Sequence, residues 1–164
     1  MATLASLVER VRLEIGDPGK SFVWSTTTTA TNRYELPYSP VDGATMVVTL
    51  NGTDISNAVL AEEHTGVITL DTVPSAGLTL KVSGTYFRYF TDAELQTITD
   101  SAVKEHLYNR ADAFGRPLTV QNLPTVEEFP AALLATVQAL YTLATDASFD
   151  INIQTPDGVG IPRS

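Results

Sequence analysis

His64 and His106, with the carboxylates near them, are the residues from which proton-transfer or metal chemistry would have to be built. His64 follows Glu62 and Glu63 in an expected inter-strand turn, and His106 stands beside Glu105 on an expected helix. A zinc site draws on three or four ligands, and neighbours along an extended segment point to opposite faces. Glu62, Glu63 and His64 therefore cannot all face one ion. The chain has no Cys, which removes disulfides, thiolate nucleophiles and Cys-ligated metal. No Gly-x-Ser-x-Gly elbow is present, and Gly158-Val159-Gly160 lacks the strand before and the helix after that a dinucleotide site needs. Asp150 to Thr155 begins like a calcium loop but puts Thr155 where Gly is required and Ile161 where the bidentate Glu belongs. No catalytic residue, metal or cofactor is expected, and the residues point to an architectural role more than to an enzyme.

The elements that would carry such chemistry form an interrupted helical frame. Leu4, Leu7, Val8, Val11 and Ile15 lie on one helical stripe, with Thr3 as N-cap and Gly16-Asp17-Pro18-Gly19 as the stop. So short a helix needs partners to bury its stripe. From Ser21 to Phe90 the texture turns β-branched and aromatic. Strands are expected over 22–25, 33–36, 45–50, 58–60, 66–71, 78–83 and 85–90, with Asn51-Gly52 and Pro74 to Gly77 as reversals. The threonine run 26–29 is expected at a hairpin tip or loop. Helix returns at Thr91-Asp92-Ala93-Glu94, a capping box with Phe90 and Leu95 at its staple positions, and is expected to run to about Ala113.

A third helix is expected from a second box at Thr125 to Glu128, settling over 131–147 beyond Pro130. Between Glu128 and Asp146 it carries no charge. A helix apolar around most of its circumference is buried around most of it, either by its own β module or by other subunits. The predicted fold class is α+β: a bundle of three main helices (1–20 and 89–148), a β-barrel or β-sandwich insertion (21–88) and an extended C-terminal arm (149–164).

The net charge is −9, with eight acidic against three basic residues over 91–147. Scattered Lys and Arg do not make a phosphate-gripping surface, and an acidic one stays soluble and does not stick to nucleic acid. No apolar run is long enough for a membrane span, and no export signal is read at the start, so a reducing cytoplasm is the expected setting.

The order of these features, with Leu7 to Pro18, Gly66 to Leu70 and its Pro74–Gly77 turn, and Val82 to Leu95, resembles the head-to-tail adaptor (head completion or connector) proteins of long-tailed bacteriophages. The resemblance implies a homo-oligomeric ring, typically of twelve copies, in the virion neck, assembled in the host bacterial cytoplasm. Such a ring has the portal protein on one side and a stopper, tail terminator or tail protein on the other, and DNA passes through it without sequence-specific binding. It implies that the C-terminal arm reaches the portal or an adjacent subunit, with Phe149, Ile151, Ile153, Ile161 and Arg163 as anchors, and that Leu133, Val137 and Leu140 pack between subunits. Simpler members are small helical bundles, so the β insertion is a departure. The competing class is a carbohydrate- or protein-binding β module, which would need Trp24, Tyr34, Tyr38, Tyr86 and Tyr89 as an exposed platform.

Overall fold

The computed structural model describes residues 3–149 and the short pieces Ile153–Gln154 and Gly160–Ile161. It is an α+β protein whose chain divides into two compact units, 1–15 with 95–164 and 16–94. The β unit is thus wider than the expected 21–88. Asp17 accounts for part of that: it is buried, and its carboxylate accepts the backbone N–H groups of Arg88, Tyr89 and Phe90, fastening the entry of the unit to its exit.

In the β unit, β1 (Lys20–Thr27), β7 (Thr79–Tyr86), β3 (Val41–Leu50) and β4 (Thr53–Asp54) form one antiparallel sheet in the order β1-β7-β3-β4. The second sheet is β2 (Arg33–Glu35), β6 (Val67–Leu70) and β5 (Val59–Glu62), in the order β2-β6-β5. Of the expected barrel or sandwich, the barrel is not formed: the two sheets stay separate and face one core of Phe22, Val48, Leu80 and Val82 from the first and Tyr34, Ile68 and Leu70 from the second. Alternation puts Leu80 and Val82 inward and leaves Thr79 and Lys81 exposed. Asn51 and Gly52 take positive φ of 50° and 84° between β3 and β4, the turn their dipeptide favours.

Two expectations in this unit are corrected. Residues 78–83 and 85–90 are not two strands; β7 runs through Gly84, and 87–90 lie outside it. Gly84 opposes Phe22, and a Cβ there would meet the Met46 Cα at 3.2 Å, so this glycine permits close approach at the β3 irregularity instead of ending a strand. The threonine run is not a loop tip either. Thr26 and Thr27 belong to β1, and Thr28 is buried, donating its hydroxyl to the Ser75 carbonyl and accepting the Leu78 N–H.

In the helical unit α1 (Leu4–Glu14) packs against α3 (Thr125–Phe149), with Leu7, Val8 and Val11 buried. Thr3 caps α1 by accepting the Ser6 N–H, and Gly16 follows its end with φ of 71°. The helix α2 spans Asp92–His106 and opens with the reciprocal Thr91–Glu94 box. It stops short of the expected Ala113 because Asn109 adopts a φ of 56° and Asp112 organises a loop, accepting from the N–H groups of Phe114 and Arg116 and from Arg116 Nε. The backbone bond from Arg116, followed by that residue's side chain and the Phe114 N–H, holds the Asp112 carboxyl below its ordinary value. Pro130 lies inside α3, which begins at Thr125 without a break.

Candidate assembly surface

The helix α3 buries small side chains and exposes most of its large apolar ones. Its buried residues are small: Ala131, Ala132, Ala135, Thr136 and Ala139. Most of its large apolar residues stand in solvent: Val126, Phe129, Leu133, Val137, Leu140 and Tyr141, with Val137 56% exposed and Tyr141 74% exposed, while Leu134 and Leu143 are half-buried. Successive spacings of three, four, four and three residues keep Val126, Phe129, Leu133, Val137 and Leu140 on one stripe, which at the helical rise is about 21 Å long. Alanines on the inner side let the backbone of α3 lie close to its neighbours. The outer side chains, left half in water, forgo on the order of 5 to 10 kcal/mol of transfer free energy that a second apolar surface would recover. The helix carries no charged residue between Glu128 and Asp146, so the exposed strip is uninterrupted by charge.

The ends of the strip are held by polar contacts. The Arg10 guanidinium lies 4.8 Å from the centre of the Phe129 ring. Glu127 Oε1 accepts from Arg110 Nη2 at 2.5 Å, and its Oε2 lies 2.8 Å from His106 Nε2 and 3.1 Å from Arg110 Nη1. His106 Nε2 is also 3.2 Å from Arg110 Nη1. One ring nitrogen cannot donate to Glu127 and accept from Arg110 together; with Glu127 ionised, the proton on Nε2 belongs to the carboxylate bond. The side-chain bonds from Arg110 and then His106 draw the Glu127 carboxyl down to about 2. Further along, Gln138 Nε2 donates to Glu105 Oε2 at 2.7 Å, a second tie between α3 and α2. These contacts fix the pose of α3 and present no reactive group to a cavity.

Among the described residues, no group of three His, Asp or Glu is placed to hold a metal ion. His64 Nδ1 lies 3.3 Å from Glu94 Oε1 in an exposed pair, and Glu63 accepts the Gly43 N–H, so the Glu62, Glu63 and His64 side chains do not converge. A cavity of about 300 Å³ along α2 is lined by Asp100, Val103, Lys104, Leu107 and residues 118–121. Its charged groups are spent on an Asp100–Lys104 ion pair, and the Thr119 hydroxyl is engaged by Gln121 and Asn122. No helix among the described residues is long and apolar enough to cross a membrane.

Of the residues singled out from the sequence, Leu133, Val137 and Leu140 come together on the α3 strip, and Val126, Phe129 and Tyr141 extend it. Phe149 is the last residue of α3 and not part of an arm. Ile151 and Arg163 lie outside the described residues. Ile153 pairs antiparallel with Ile161, and Gln154 with Gly160, where one extended segment was expected. The five aromatics do not form one exposed platform: Tyr34 is buried, Trp24, Tyr38 and Tyr86 pack against the core, the Tyr38 ring 4.7 Å from Phe22 and 4.9 Å from Tyr86, and Tyr89 lies outside that core, half-buried beneath the Arg88 guanidinium. The Asp17 and Glu127 contacts were not foreseen. Compared with protein-family models the chain matches none, and comparison with curated proteins finds no match.

Proposed function

We propose that this chain is a structural subunit of a bacteriophage neck, a head-to-tail adaptor that forms a ring beneath the portal, joins capsid to tail and continues the DNA channel. The observation that carries the reading is the inversion of α3: Leu133, Val137 and Leu140 face water in the single chain while alanines fill its interior. A ring supplies the missing surface through a heterologous contact, in which the strip of one subunit is covered by a different face of the next. The acidic balance of the chain suits a channel wall from which DNA slides away. The portal lies on one side of the ring, a stopper or tail protein on the other, and the residues after α3 are the segment assigned to the portal contact. A binding module built on exposed aromatics has less support, because Trp24, Tyr34, Tyr38 and Tyr86 are committed to the β core.

Leu140→Asp tests the reading. Leu140 is 48% exposed, so the carboxylate costs the single chain little, whereas burying it unpaired between subunits costs about 3 to 5 kcal/mol. Sedimentation velocity should show rings for the native sequence and folded small species for the variant. Identical assembly of the two proteins would overturn the assignment of this face.

A further inference from the structure

Strand β1 is an edge of the four-stranded sheet, and its free side carries unused backbone groups. Thr28 N–H bonds to the Leu78 carbonyl and Asn51 N–H to the Thr79 carbonyl. The alternation of an antiparallel ladder then directs the backbone groups of Phe22, Trp24 and Thr26 to β7, and those of Ser21, Val23, Ser25 and Thr27 away from it. None of these four residues has another backbone partner among the described residues. Natural edges are blunted by proline, bulges, charges or brevity. This one is eight residues long and regular, and has no charge between Lys20 and Arg33.

We propose that the free edge of β1 pairs with β1 of a second copy, antiparallel and centred on Val23, to make one eight-stranded sheet across two chains. The choice of occupant comes from the strand's own order. Ser21-Phe22-Val23-Trp24-Ser25 reads the same by residue class in both directions. A two-fold axis at Val23 sets Ser21 opposite the partner's Ser25, Phe22 opposite the partner's Trp24, and Val23 opposite the partner's Val23. Each of the three outward-bonding pairs exchanges both N–H···O bonds. Aromatic faces aromatic on the core side, and the 63%-exposed Val23 gains an apolar neighbour on the other. Lys20 meets the partner's Thr26, so no like charges oppose one another. Centring on Trp24 would satisfy the same backbone groups but set Val23 against serine and Phe22 against threonine. This contact belongs to the β unit and does not depend on the adaptor reading.

The test uses the full chain carrying Val137→Asp, in which α3-mediated assembly is removed, so that failure of the β1 contact and failure of the ring are read separately. The chain has no cysteine, and Val23→Cys therefore places a single thiol at the centre of the pairing. A short bifunctional maleimide should link Val23→Cys chains into dimers and leave Thr27→Cys chains unlinked, because the two Thr27 sites lie eight residues apart along the ladder, roughly 26 Å. Val23→Lys sets like charges face to face at an exposed position; self-association should weaken by about tenfold or more, and the sedimenting mass should fall from twice to once the 17.6 kDa of the chain. Equal linking of the two cysteine variants, or a mass unchanged by Val23→Lys, would overturn the proposal, including the case in which another protein's strand occupies this edge.

Discussion

Removing the Asp17 carboxylate should destabilise the β unit more than any surface substitution. Asp17 is 1% exposed and receives three consecutive amides: Arg88 N–H at 2.6 Å, Tyr89 N–H at 3.3 Å and Phe90 N–H at 3.4 Å. A short bond to an ionised acceptor is worth about 1.5 to 3 kcal/mol, and each of the two longer ones about 1 kcal/mol. Asp17→Ala therefore costs about 3 to 5 kcal/mol, a large part of the roughly 5 to 15 kcal/mol by which a domain is stable. Asp17→Asn keeps one oxygen for Arg88 but turns an NH2 group toward the other two amides, so most of the loss, about 2 to 4 kcal/mol, persists. The assay is urea unfolding followed by the fluorescence of Trp24, the single tryptophan, which packs against the core of this unit. At unchanged slope the midpoint should fall for both variants. If both stay within about 1 kcal/mol of the native protein, the three amides have other acceptors and the account of Asp17 as the fastening between the two ends of the β unit is wrong.

Two further perturbations test the geometry elsewhere. Glu127, drawn down to about 2 from an ordinary 4.5, contributes stability that is fully present above about pH 4.5 and is lost as pH falls toward 2; Glu127→Gln should flatten the pH dependence of stability across that window, and an unaltered profile would place the acid sensitivity elsewhere. Gly66 has a φ of 70°, and a Cβ there would collide with the Tyr38 carbonyl oxygen, so Gly66→Ala should lower stability by more than about 2 kcal/mol in thermal unfolding, while a silent substitution would mean that the 62–66 turn rearranges freely.

The sequence was legible where the signal is local. Thr3, the Thr91–Glu94 pair and Asn51-Gly52 each act on backbone within a few residues, and each does in the structure what its type and spacing predict. What was not legible depends on distant partners. Asp17 reads as part of a helix stop, and its acceptor role is set by amides more than seventy positions away. Thr28 belongs to a run of threonines that looks like loop, and only the approach of Ser75 and Leu78 makes it a buried hydrogen-bonding hub. Gly84 looks like a strand breaker because its reason, the proximity of Phe22 and Met46, lies across the sheet. For α3, residues apolar on nearly every side marked the helix as over-covered but gave no periodic polar face from which to read its orientation. That Leu133, Val137 and Leu140 are the open side follows from where α1 and α2 engage it.

The central claim, that α3 is completed by a neighbouring copy in a neck ring, is tested most directly by a cryo-electron microscopy structure of the assembled particle, formed alone or on a portal ring. The account predicts a closed ring in which Leu133, Val137 and Leu140 are buried against the adjacent subunit and the α3 strip has lost its solvent exposure. A particle in which those three side chains still face water, or a chain that stays monomeric alone and on the portal, would contradict it.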